Sequence, residues 1–545
     1  FLLPVLREVS ARSSELEQTL QILHEHDFIH KSTESPEQEW FFNHALAQEV
    51  VYSSVLKSER RAIHRRIART IEEQFADRLP EFSETLAFHF QRAGLIDESV
   101  VYLARSGEKS LFLHALDQAH AHYQEAFDLL QTNPDSSGDQ VIAIVNQWAF
   151  VYYYRGRFRE LLDLLLGFED SAAGMENTAE QGMFLAWKGC ALWHRERFSE
   201  ALQALGQALA IGKRIHDQRL AGYACTWLIW TCTDLGRLDE AREYGALAQK
   251  TYEAGHAEFF VCFNSLAGLG YTAWHSGDKA TALAIGRRLI DLGVKVADNR
   301  CTVMGYCCLG WGWLTTGDHH SATRCFQSAV NQALDPWYAL IPKLALCYGL
   351  IANGRIDEAD CFIQDIRRLS QEYGVEFVGT PAGFFHGVVL AAGGNLPEGL
   401  KAMQQTLACW KSQDCRLRYV SCALVLARVY ARVLRRSEGA GPGLLRQTSA
   451  FFIKIFTAEK KARALLAECI SAAEAIGARG IAGQASLELA RLDVSAGKRK
   501  PARQALHRAR EHLRTCQADV YLQEVETLIE ELERQGGRGQ RELRG

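Results

Sequence analysis

TDLGRLDEA, at residues 233–241, decides the fold. An apolar helix runs into Gly236, polar residues follow, and Ala241 starts the apolar face of a second helix. A helix that must stop within one residue and reverse needs a left-handed backbone there, which glycine adopts without steric cost. The phrase returns as YYYRGRFREL at 152–161, WHSGDKATA at 274–282, TTGDHHSA at 315–322 and ANGRIDEA at 352–359. It is weaker as AGGNLPEG at 392–399, and comes late as SAGKRKPA at 495–502. HRERFSEA at 194–201 fits with Glu196 in the glycine place. The turns therefore fall at Gly156, Glu196, Gly236, Gly277, Gly317, Gly354 and Gly394, in steps of 40, 40, 41, 40, 37 and 40 residues, with Gly497 in the late copy. A plain helical bundle has no need of a constant step, whereas stacked hairpins do.

Small residues keep the same register. Ala201, Ala241, Ala282, Ala322, Ala359 and Ala502 lie five after their turns, and Ala149, Gly189, Gly270, Gly310, Gly387 and Ala490 lie seven before. Those two places face each other across an antiparallel helix pair and let the helices approach closely. A further alanine seven residues on, at Ala208, Ala248, Ala329 and Ala509, is two helical turns along the same face. This pattern resembles the tetratricopeptide repeat over most of residues 82–535. The usual period is about 34 residues, so these helices are about a turn longer, and the usual proline at the repeat end is mostly absent. Both departures are those of the long-helix variety in bacterial signalling proteins. The resemblance implies an all-α, right-handed α-solenoid whose concave wall is lined by the first helix of each pair.

Residues 1–81 do not follow the repeat. Two helices up to Leu23, then short β-like runs at Phe28–His30 and Trp40–Phe42 around a turn with Pro36, predict a small winged-helix-like unit. Helices follow over about 44–56 and 58–75. The stretch WFFNHALAQEVVYSSVLKSERRAIHRRIARTIE resembles the junction that joins a STAND-type ATPase to tetratricopeptide repeats in bacterial proteins. Its matching residues are Phe42, His44, Ala45, Leu46, Tyr52, Arg60, Arg61 and His64, followed by His89, Gly94, Tyr102 and Gly107. Many proteins with that junction carry a class III adenylate or guanylate cyclase, a kinase or a DNA-binding domain upstream. The resemblance thus implies a parent in which the repeats receive a signal and other domains answer. The chain opens on Phe1 and is read as a piece of such a protein. The domain reading is 1–81 winged-helix-like unit and junction, 82–436 repeats, 437–457 linker or insertion (SEGAGPG, then FFIKIF), 458–535 final repeats and capping helix, and 536–545 disordered tail.

Chemistry is scarce in the sequence. Neither Gly212-Lys213 nor Gly497-Lys498 is followed by Ser or Thr, so no GxxxxGK[ST] phosphate loop is present. HExxH and GxSxG are absent, and no catalytic residue, metal site or cofactor is expected. The 15 cysteines lie among apolar residues with no CxxC pair, which argues for buried reduced thiols and a cytoplasmic protein. No run of about 18 apolar residues marks a membrane span. A net charge of −4 gives no global case for nucleic acid, although residues 431–545 hold 21 Lys/Arg against 14 Asp/Glu.

One constellation stands out. Six residues before successive turns come Phe150, Cys190, Trp230, Tyr271, Trp311 and Tyr348, and Trp193 and Trp274 lie three before theirs. On the concave wall, Phe150, Trp193, Trp230, Tyr271, Trp274, Trp311 and Tyr348 would form an aromatic ladder. Two roles are open: contact with a bound peptide or small ligand, or filling gaps between successive repeats. The expected function is a non-catalytic sensing and interaction module that regulates upstream ATPase or effector domains, a cyclase among them. The alternative is a free-standing scaffold. The expected partners are a protein or peptide and the chain's own upstream domains, with a small effector as a further candidate and neither nucleic acid nor membrane.

Overall fold

The computed structural model describes residues 1–10, 15–32, 38–175, 178–438 and 449–542. Among them are 27 α-helices and a single sheet of two short strands. No helix among the described residues is long and apolar enough to cross a membrane. The chain divides into two compact units: Phe1–Arg155 with Phe168–Met175, and Gly156–Gly167 with Glu176–Gly545.

The first unit begins with the helices Leu3–Val9 and Leu16–Glu25 and an antiparallel hairpin of Ile29–Lys31 and Trp40–Phe42, with Ile29 opposite Phe42. Leu3, Leu16, Leu20, Ile29 and Trp40 bury one face of each element in a common core. The turn around Pro36 lies outside the described residues. The junction helices are Ala45–Ser54 and Lys57–Gln74. On the second, buried His64 bonds the Tyr52 hydroxyl at 3.1 Å and His89 at 2.8 Å. Two helix pairs follow, Ser83–Ala93 with Ile96–Phe112 and Leu116–Thr132 with Gly138–Arg155.

The second unit is a stack of hairpins, from Ala179–His194 with Phe198–Arg214 to Arg479–Ser495 with Arg499–Thr515, closed by Asp519–Glu542. Every predicted turn residue is left-handed: Gly156, Gly236, Gly277, Gly317, Gly354, Gly394 and Gly497 have φ between 67° and 99°, and Glu196 has φ 56°. The small positions are as tight as their register predicts. A Cβ on Gly189 would lie 2.3 Å from Leu205, and one on Gly310 would lie 2.3 Å from Phe326. Ala201, Ala241, Ala282, Ala322, Ala359 and Ala502 are fully buried. A second series of left-handed residues closes the second helices, at His216, Gly255, Ala297, Gly374, Asp414, Gly477 and Gln517.

The stretch read as an insertion at 437–457 takes in the end of the helix Arg416–Glu438 and the start of the helix Ser449–Ala475, with residues 439–448 outside the described set. The side chains of FFIKIF at 451–456 are also outside it. The last helix continues to Glu542, so 536–542, read as a disordered tail, is helical backbone.

Candidate functional site

The second unit curls until the turn end of each early hairpin meets a hairpin about five places later. Room for a Cβ is therefore missing at the turns as well. On Gly277 it would lie 2.3 Å from Cys516 Sγ, and on Gly317 3.1 Å from the Tyr521 ring. These positions demand glycine twice, for the left-handed backbone and for the approach of a distant helix. The axis that an open array would offer to a partner is thus closed by the chain's own side chains.

A buried charge cluster sits at one closure. Arg418, in the first turn of Arg416–Glu438, donates to Asp234 Oδ1 at 2.8 Å and Oδ2 at 3.3 Å, to Glu196 Oε1 at 2.6 Å and to the Phe377 carbonyl at 3.0 Å. Asp234 also accepts from Trp193 Nε1 at 2.9 Å and the Tyr271 hydroxyl at 3.1 Å. All three charged residues are buried. Burial pushes the Glu196 carboxyl up to about 7 against the pull of Arg418, and Asp234 beside it pushes the same way. Arg418 is held charged by the two carboxylates even though burial disfavours its charge. Next to the cluster, Arg195 pairs with Glu376 and donates to the Gly374 carbonyl at 3.2 Å.

A cavity of about 380 Å³ remains farther along the axis. Its apolar lining comes from Trp274, Tyr348, Phe385, Val388, Leu424 and Val425. Its charged lining includes Arg428, Glu488, Arg491 and Glu524. Arg428 donates to Glu488 at 3.0 Å and to Gln484 at 3.1 Å, and Arg491 donates to Glu488 at 2.9 Å and pairs with Glu524. His275 and His319 also line it, and burial holds their imidazoles neutral, at about 3 and about 4.

No family model matches the chain. An uncharacterized protein of Rhizobium meliloti (strain 1021) is 28% identical over 104 residues, which are 19% of this chain and 10% of that protein, so the match spans about a tenth of that relative's length. Among solved structures, a Rap protein complexed with Competence and Sporulation Factor superposes with a TM-score of 0.50 at 13% identity, over 68% of this chain and 99% of Rap. A STAND protein with a tetratricopeptide repeat sensor from Pyrococcus horikoshii gives 0.46 at 14% identity, over 76% and 61%. NprR in complex with its cognate peptide NprX gives 0.44 at 11%, over 66% and 98%. The fold is a tetratricopeptide-like α-solenoid.

Within the solenoid, six of the seven ladder residues come together, whereas Phe150 belongs to the first unit. Trp193 and Trp230 have ring centroids 5.4 Å apart, Trp230 stacks on Tyr271 at 5.3 Å, and Tyr271 meets Trp311 at 5.5 Å. Trp274 stacks on Trp311 at 5.6 Å and meets Tyr348 at 5.8 Å. Of these, Trp274 and Tyr348 face the cavity. Trp193, Trp230 and Trp311 are buried in the packing, Trp193 against Phe377 of a later hairpin at 4.8 Å. Arg418, Glu196 and Asp234 were not singled out from the sequence. The available signal was a carboxylate at Glu196 where every other aligned turn has glycine.

Proposed function

We propose that this chain is the sensing part of a multidomain signalling protein. Its solenoid takes up a peptide or small effector at the axial cavity and answers by changing how firmly it is closed. Neighbouring domains of the same polypeptide, an ATPase module of the STAND type and an effector such as a class III cyclase, would read that change.

The observation that carries this reading is the closure itself. Distant hairpins meet through a few buried contacts around a residual cavity of drug-sized dimensions, for which the usual range is roughly 300–1,000 Å³. A ligand in that cavity touches helices of early and late hairpins together, so it favours one degree of closure over another, as any effector of a two-state element must. The junction motif from Trp40 to Glu72 supports the link to an ATPase. Rap, which shares the fold, has been solved in complex with Competence and Sporulation Factor.

Native mass spectrometry of the chain with pooled peptides and metabolites tests the reading. The expected result is an adduct of defined mass that alters hydrogen exchange at the Glu196, Asp234 and Arg418 closure. Pools that leave both mass and exchange unchanged would overturn it.

A further inference from the structure

We infer that the axial cavity is a site for a small amphipathic anion, a ligand with an apolar or aromatic body and one carboxylate. This rests on the sensor reading above and names the ligand class of that site. The apolar side chains of Trp274, Tyr348, Phe385, Val388 and Leu424 supply area for the body.

The charge balance of the lining selects the head group. Three guanidiniums, Arg428, Arg432 and Arg491, face two carboxylates, Glu488 and Glu524. Both carboxylates are already engaged: Glu488 by Arg428 and Arg491, and Glu524 by Arg491. His275 and His319 are neutral and add no charge at pH 7. Arg432 is exposed at the cavity, and no carboxylate among the described side chains pairs with it. The lining therefore carries one uncompensated positive charge beside an apolar chamber. A carboxylate set against a guanidinium forms a charge-assisted, bidentate pair, which a neutral amide of the same shape cannot reproduce. Phosphate esters are a poorer match, because the chamber offers a single unpaired cation.

Isothermal titration of the whole chain with decanoate, phenylacetate and their amides tests the assignment. Each acid is expected to bind about tenfold or more tighter than its amide. Arg432→Gln, a surface change that leaves the core untouched, should erase that preference while leaving amide binding in place. Val388→Trp should fill the chamber and abolish both, and its melting temperature reports whether it still folds. Equal binding of acid and amide, with loss in Val388→Trp, would overturn the anionic assignment and leave the sensor reading standing. Absence of binding by every probe would also overturn the assignment, and the sensor reading would then be decided by the pooled-ligand experiment.

Discussion

At Gly310 a methyl group would come within 2.3 Å of the Phe326 ring. Neither the helix pair nor the ring has slack, so Gly310→Ala is expected to destabilise by about 1–3 kcal/mol through overpacking, despite alanine's better helix propensity. Thermal unfolding checks this, and an unchanged midpoint would contradict the packing. Glu196 makes the opposite bargain. It accepts a left-handed backbone, at a cost of about 1–2 kcal/mol, and places a carboxylate on Arg418. Its carboxyl is raised from 4.5 to about 7 in the folded chain, chiefly by burial. A raised acid favours the folded state while protonated. Its contribution is complete below pH 4.5 and is lost as pH rises through 7. Neutral buried histidines such as His194 and His275 act in the other direction, costing stability as pH falls below their ordinary range. The difference between wild type and Glu196→Gln isolates the carboxyl. Wild type should lose ground to the variant between pH 5 and pH 8, by on the order of 2–3 kcal/mol. A difference that stays flat across that range would refute the assignment.

At the scale of the helix, the hairpins show which ends were legible. Turns inside the hairpins were found because glycine marks them. Turns between hairpins are equally left-handed, but four of the seven are occupied by His216, Ala297, Asp414 and Gln517, whose identities carry no such signal. Ala297 is exposed, with φ 56°, so glycine there should relieve strain without losing packing. Ala297→Gly is expected to stabilise by about 1 kcal/mol, seen as a higher melting temperature. The next residue begins the following helix. Asp298 caps it by accepting from the Cys301 amide at 2.8 Å, and Asp278 and Asp318 cap theirs in the same way. Asp298→Ala should cost about 1 kcal/mol, and no loss in a melting curve would contradict the cap.

Over the whole solenoid, the buried cluster of Arg418, Asp234 and Glu196 is better suited to setting register than to adding stability. Removing the cation leaves two carboxylates uncompensated, so Arg418→Met is expected to cost about 3–5 kcal/mol. It should also loosen the closure, seen by small-angle scattering as a larger radius of gyration. Adding Glu196→Gln and Asp234→Asn to that variant should recover most of the stability, because no unpaired charge then remains. A triple variant as unstable as the single one would count against this account.

Sequence alone determined the helical hairpin, its forty-residue step, the glycine turns and the small residues between paired helices. All of these are local, since backbone conformation and neighbouring side chains within one repeat decide them. It also marked the aromatic ladder as a unit, and six of its seven members do meet. Only the tertiary structure decided what the ladder faces. The curl of the solenoid sums small rotations between successive hairpins, and no single residue records that sum. That curl brings Arg418 to Asp234 and Tyr521 to Gly317 and sets the lining of the cavity, because contacts between hairpins five places apart depend on the geometry of every hairpin between them.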